Sequence, residues 1–249
     1  MSEKHRKLER SAMGFVFAII LVGSIGGAVE IAPLFTIDET VEEAPDMRQY
    51  TPLELAGRNI YIREGCYACH SQMIRTLEDE VERYGHYSLA VESKYDHPML
   101  WGSKRTGPDL ARVGGKYSDQ WHVTHLNNPR DVVPQSVMPS YSWLLRNDLN
   151  YRDINLDLTA LSKVGVPYTL EMIDHAVDDL YAQANPDSVK VDGLLERYGE
   201  KTTIRYFDGN RSSVTEMDAV VAYLQIIGRL TDVSEISDLS LPRNPGKKE

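Results

Sequence analysis

The sequence predicts a mainly α-helical protein in which one N-terminal membrane-crossing helix precedes a helical domain. An uncharged apolar run near the start is about as long as one bilayer crossing. Several later stretches repeat apolar residues every three or four positions behind helix-capping motifs. No pattern of strands alternating with helices flanks the chain's two cysteines.

At 249 residues there is material for one large domain or two small ones. Through residue 36, four Lys/Arg face three Asp/Glu, a net +1, so the −10 of the whole chain leaves −11 for the remainder. Nucleic-acid binding calls for a clustered basic surface, and an acidic domain argues against it.

Residues 1–10 form a basic start with Lys4, Arg6, Lys7 and Arg10, and residues 11–36 are expected to anchor the chain in a membrane. Ser11 to Val29 carry no charge. Beyond them, Asp38, Glu39, Glu42, Glu43 and Asp46 precede the next cation, Arg48. The positive-inside bias then leaves the N-terminus in the cytoplasm and exports the rest. A signal peptide cleaved after Ala28 is the competing reading. The apolar character resumes in Ile31-Ala32-Pro33-Leu34-Phe35, which favours a retained anchor.

Residues 37–50 read as an acidic tether, and residues 51–232 as the exported domain. Thr51-Pro52-Leu53-Glu54 joins a capping hydroxyl, a proline at the first helical position and a glutamate at the third. Leu53, Ala56, Gly57, Ile60 and Tyr61 follow on one stripe, and Gly65 supplies a stop. Gly57 costs helix stability unless another helix crosses closely there.

Cys66-Tyr67-Ala68-Cys69-His70 comes next, the pattern that fixes a c-type haem. Two thiols bond to the porphyrin edge, and the histidine after the second ligates the iron. A dithiol redox site or a simple disulfide is the alternative; zinc would need a second ligand cluster, and these are the only cysteines.

Residues 71–106 are polar and aromatic, with an exposed helical turn expected at Glu78 to Glu82, and read as an insertion that packs over the haem edge or on a partner. In Thr106-Gly107-Pro108-Asp109-Leu110, a Gly-Pro turn could offer a carbonyl to the second ring nitrogen of a ligating histidine, though spacing alone does not single it out. Ser118 caps a helix to about Asn128 that carries Trp121, His122 and His125. The loop Val133 to Tyr141 holds Met138 between two prolines, a soft thioether suited to the sixth coordination position. His122 and His125 are the bis-histidine alternatives.

Thr169 caps a further helix through Ala184. Residues 140–213 are read as insertions, the polar stretch 185–213 being a surface elaboration. Thr215-Glu216-Met217-Asp218 opens a last helix whose Tyr223 is placed to lie against Gly57. Residues 233–249 read as a polar tail.

A helix with glycine and an aromatic, the Cys-x-x-Cys-His motif, Gly-Pro-Asp-Leu, a methionine-proline loop and a terminal Ala-Tyr-Leu helix together resemble a class I cytochrome c. More narrowly, Gly65 to Gln72, Lys104 to Leu110, Val137 to Tyr141 and Glu216 to Ala219 resemble the membrane-anchored mono-haem subunit of cbb(3)-type cytochrome c oxidase. The resemblance implies one covalent haem c on Cys66 and Cys69, with His70 and Met138 as axial ligands and the Pro108 carbonyl supporting the His70 ring. Arg105, by charge and position, is the expected partner of a haem propionate. The resemblance also implies a non-catalytic electron-transfer subunit in the bacterial inner membrane, with its domain in the periplasm. Electrons would come from a cytochrome c donor or a di-haem cytochrome c subunit. They would pass to a catalytic haem-copper subunit that reduces oxygen to water and pumps protons. A cytochrome c subunit of nitric oxide reductase, or an independent anchored shuttle, is the alternative. Residues 183–213 are longer than this family's usual connection.

Overall fold

The computed structural model describes residues 3–35, 41, 44 and 46–231. Half of the expected tether and the whole of the expected tail 233–249 therefore lie outside the described residues. The chain divides into two compact units, Met1–Glu42 and Glu43–Glu249.

The first unit contains α1 (Glu3–Arg10) and α2 (Ala12–Ile31), the latter continued by a 3-10 turn over Ala32–Phe35. Ser11 caps α2, its hydroxyl accepting from the Gly14 amide at 3.2 Å. Ala12–Phe35 is long and apolar enough to cross a membrane, and its side chains are left unburied by the protein itself.

The second unit is helical, with no strand among the described residues. Its helices are α3 (Pro52–Arg63), α4 (Glu78–Tyr84), α5 (Asp119–Asn127), α6 (Ile154–Lys163), α7 (Leu170–Asp174), α8 (Ala176–Ala184), α9 (Val191–Tyr198) and α10 (Glu216–Ile226). The centre is the crossing of α3 and α10. Both helices start with complete capping boxes, Thr51 with Glu54 and Thr215 with Asp218. At Gly57 a Cβ would fall 1.9 Å from the Ala219 carbonyl oxygen and 2.8 Å from the Tyr223 Cβ, so the absent side chain is what lets the helices touch. The Tyr223 ring meets Tyr61 at 5.4 Å and Tyr50 at 5.9 Å, both edge-on.

Helix α3 is buried along most of its length, including the charged Glu54 and Arg58, while Arg63 at its end is exposed. Arg48 binds both oxygens of Glu54 at 2.8 Å, and Gln183 of α8 reaches the same carboxylate at 3.3 Å. Arg58 pairs with Asp96 at 3.2 Å. Gln49 and Tyr50, expected in the tether, are buried, so the packed domain begins before Thr51.

Three expectations need correction. The turn at 78–82 is not wholly exposed: it belongs to α4, and Glu80 is buried between Arg75 and Arg105. The helix from Thr169 is broken at His175 into α7 and α8. Residues 185–213 do more than decorate the surface. They contain α9, and Leu194, Tyr198 and Phe207 join the main core. Arg197 of α9 clamps the buried Asp179 of α8 through Nε at 2.8 Å.

Candidate functional site

Helix α3 ends at Glu64, and Gly65 turns the chain with φ +73°, a conformation that favours glycine. Cys66–Ala68 then form a 3-10 turn, with the Cys69 and His70 amides donating to the Cys66 carbonyl at 3.1 and 3.0 Å. Both thiols and the histidine thus sit on one tight turn. Cys66 is half-buried, Cys69 is exposed and both are free. Burial pushes the Cys66 thiol up to about 12. A dithiol exchanger relies on the opposite shift, because the thiolate is its nucleophile.

His70 is gripped from one side by the segment around Pro108. Its Nδ1 lies 2.8 Å from the Pro108 carbonyl oxygen. A carbonyl only accepts, so Nδ1 carries the proton and Nε2 keeps the lone pair a metal needs. A Cβ on Gly107 would sit 2.2 Å from the ring's Cε1, so the backbone there forms a cradle shaped to the imidazole. The two segments are stitched by Gly107 N to Cys69 O at 3.0 Å and Leu110 N to Ser71 O at 2.8 Å.

Arg105 stands beside this ladder. Its Nε donates to Ser71 Oγ at 2.7 Å, and its Nη2 reaches Met73 O at 2.9 Å, Glu80 at 2.8 Å and Asp109 at 3.3 Å. These bonds engage Nε and Nη2, leaving Nη1 for any further acceptor. A cleft lined by Arg75, Arg83, Tyr84, Arg105 and Pro108 opens alongside.

Helix α5 brings two histidines to the other part of the site. His122 and His125 each have a buried ring nitrogen, Nε2 and Nδ1, without a hydrogen-bond partner. Burial pushes His125 down, and His70 is close enough to add to that shift. Burial, then His125, lowers His122 to about 4. The Met138 loop is pinned to the end of α5: the Tyr141 amide donates to Leu126 O at 2.8 Å, and Arg130 holds the Met138 carbonyl at 3.1 Å. Met138 is half-buried against the core that also takes Cys66 and Tyr141. The Tyr141 phenol is raised by burial and then by Cys66 and Cys69, so Tyr141 is within electrostatic reach of the cysteine turn.

Of the residues singled out in the sequence, Cys66, Cys69, His70 and Pro108 lie together with Arg105 beside them, His125 is near His70, and Met138 is half-buried against the core that also takes Cys66. Ser71, Glu80 and Asp109 were not foreseen as parts of the site. Their signal in the sequence was adjacency, Ser71 following His70 and Asp109 following Pro108.

No curated protein matches the chain. A family model described as cytochrome c oxidase, mono-heme subunit/FixO, matches residues 5–231, which take in the apolar helix, the cysteine turn, the Met138 loop and α10. The chain belongs to the FixO family, the mono-haem subunit of cytochrome c oxidase.

Proposed function

We propose that this subunit carries its haem covalently on Cys66 and Cys69 and relays electrons, without catalysis of its own, to the catalytic haem-copper subunit of the oxidase. The observation that carries the reading is the turn that sets two free thiols beside a histidine whose Nδ1 is tied to Pro108 at 2.8 Å. The donor set fits a haem: two thiols for the porphyrin edge, one imidazole nitrogen left for iron, and a thioether packed against the same core as Cys66. Haem bound there supplies a one-electron iron couple at a potential set by its axial ligands.

The chain's own groups do the rest. His70 would ligate the iron through Nε2, its ring oriented by Pro108 and the Gly107 cradle. Met138 would supply the second iron ligand, on a loop stiffened by Pro134 and Pro139 and pinned to α5. With His70 and Met138 both committed to the iron, no coordination position would be left open for a substrate. The unpartnered Nδ1 of His125, close to His70, supports a second reading in which His125 takes the sixth position. Arg105 offers Nη1 to a propionate while its other nitrogens are held. The basic N-terminal segment and the acidic stretch after the apolar helix support a periplasmic domain and an inner-membrane anchor. The electron donor in this scheme is a cytochrome c or a di-haem cytochrome c subunit of the same complex.

Replacing Cys66 and Cys69 by serine tests the attachment. Haem should then extract fully into acid acetone; haem that stays with the protein refutes it.

A further inference from the structure

We propose that Asp109 is a positioning residue for His70, setting the haem potential through the Pro108 hydrogen bond. The inference rests on the reading of His70 as axial ligand. The Asp109 side chain has no exposed surface. Its Oδ2 accepts from Ser71 Oγ at 2.5 Å, from the Met73 amide at 3.1 Å and from Arg105 Nη2 at 3.3 Å, while Oδ1 accepts from the Ala111 amide at 2.8 Å.

The placement of these bonds is what matters. Ser71 is one residue beyond His70, and Asp109 is one residue beyond Pro108. The Ser71–Asp109 bond therefore runs beside the His70–Pro108 bond and cross-links the two segments one residue away from it. Arg105 braces the cross-link by donating to Ser71 Oγ and to Met73 O, and is itself held by Glu80 at 2.8 Å. A serine hydroxyl that accepts from Arg105 and donates to Asp109 has both its proton and a lone pair committed, so its orientation is fixed.

The chemical effect follows from the atom at the end of the chain of contacts. A carbonyl held on Nδ1–H makes the imidazole a stronger donor through Nε2, which favours the oxidised iron. The buried carboxylate favours the same state by its charge. Loosening the carbonyl and removing the charge should both raise the potential. A merely structural Asp109 would alter stability and leave the potential where it was.

The test is a redox titration of the haem c absorbance in the purified, membrane-extracted oxidase carrying Asp109→Asn, Ser71→Ala or both. Expected is full covalent haem, with the ferrous-to-ferric ratio of Asp109→Asn raised about tenfold at fixed poise, about 59 mV for one electron. Ser71→Ala should shift it the same way by less, and the double variant by less than the sum, because the two residues share one bond. Wild-type potentials in both single variants, with haem attached, overturn the proposal. If Asp109→Asn fails to fold, Ser71→Ala decides in the same terms. A His70→Ala control separates the two levels of the argument: a wild-type haem spectrum there would remove His70 as ligand, and the positioning role with it. An altered spectrum there, together with unmoved potentials in the other variants, would refute the positioning role alone.

Discussion

At the scale of residues, the sixth ligand is where two side chains compete. Met138→Ala should leave the haem attached but lower its potential, since methionine opposite histidine raises it. His125→Ala should leave the potential near wild type. A reversed pair of results in redox titration would give the position to His125. Glu80 offers a test against pH. Arg105 first, and then Arg75, hold its carboxyl down at about 2, well below the ordinary glutamate range. A carboxyl lowered in the folded state stabilises fully above its unfolded pKa of about 4.3, and that stability is lost as pH falls toward the folded value. Acid unfolding followed by circular dichroism should show Glu80→Gln less stable than wild type at pH 7, the gap closing between about pH 4.3 and pH 2. A gap that stays constant over that range would take Glu80 out of the pair. The candidate haem-binding residues were legible in the sequence because the proposed covalent attachment would demand a fixed spacing of cysteines and histidine. It hid Glu80, because an acidic run reads as solvated unless its arginine partners, 5 and 25 residues away, are known.

At the scale of elements, the helices legible beforehand were those that announce themselves with caps. Thr51 and Thr215 open α3 and α10 with reciprocal capping boxes, and the Gly57 gap in the α3 stripe pointed to the crossing. Helices α6 and α9 lack side-chain caps. In α9, Gly193 sits mid-helix with Arg197 one turn on, so the helix runs through a residue that disfavours one. Leu156 of α6 is largely exposed, so its apolar pattern does not follow a single buried face. Gly57→Ala should destabilise the domain by about 1–3 kcal/mol or more, because the new methyl meets backbone that only a shift of a whole helix can relieve. Chemical denaturation measures it, and wild-type stability would mean that the α3–α10 contact is looser than described. Tyr223→Phe should cost about 1 kcal/mol by losing the bond to Gln72 at 3.2 Å.

At the scale of the whole molecule, the two compact units divide the work: one is long and apolar enough for a membrane, the other gathers the candidate site. A mature chain whose sequence begins at Val29 would show that the apolar helix is removed; a retained anchor requires a start upstream of Ala28. Extraction in mild detergent should bring out haem c together with haem b and copper. Haem b with non-haem iron would instead point to a nitric oxide reductase.

The crossing at Gly57 and Ala219 also orders events in time. About 160 residues separate the two helices it joins, so the contact that completes the core is among the most non-local in the chain. Loop closure over such a distance is slow to form, though each doubling of length adds only about 0.6 kcal/mol. At roughly 5–20 residues per second, synthesis delivers α10 about 10–30 s after α3. During that interval the cysteine turn cannot be sealed against its last partner. The thiol of Cys66, half-buried once the domain has closed, is then still open to reaction with the haem it is proposed to bind.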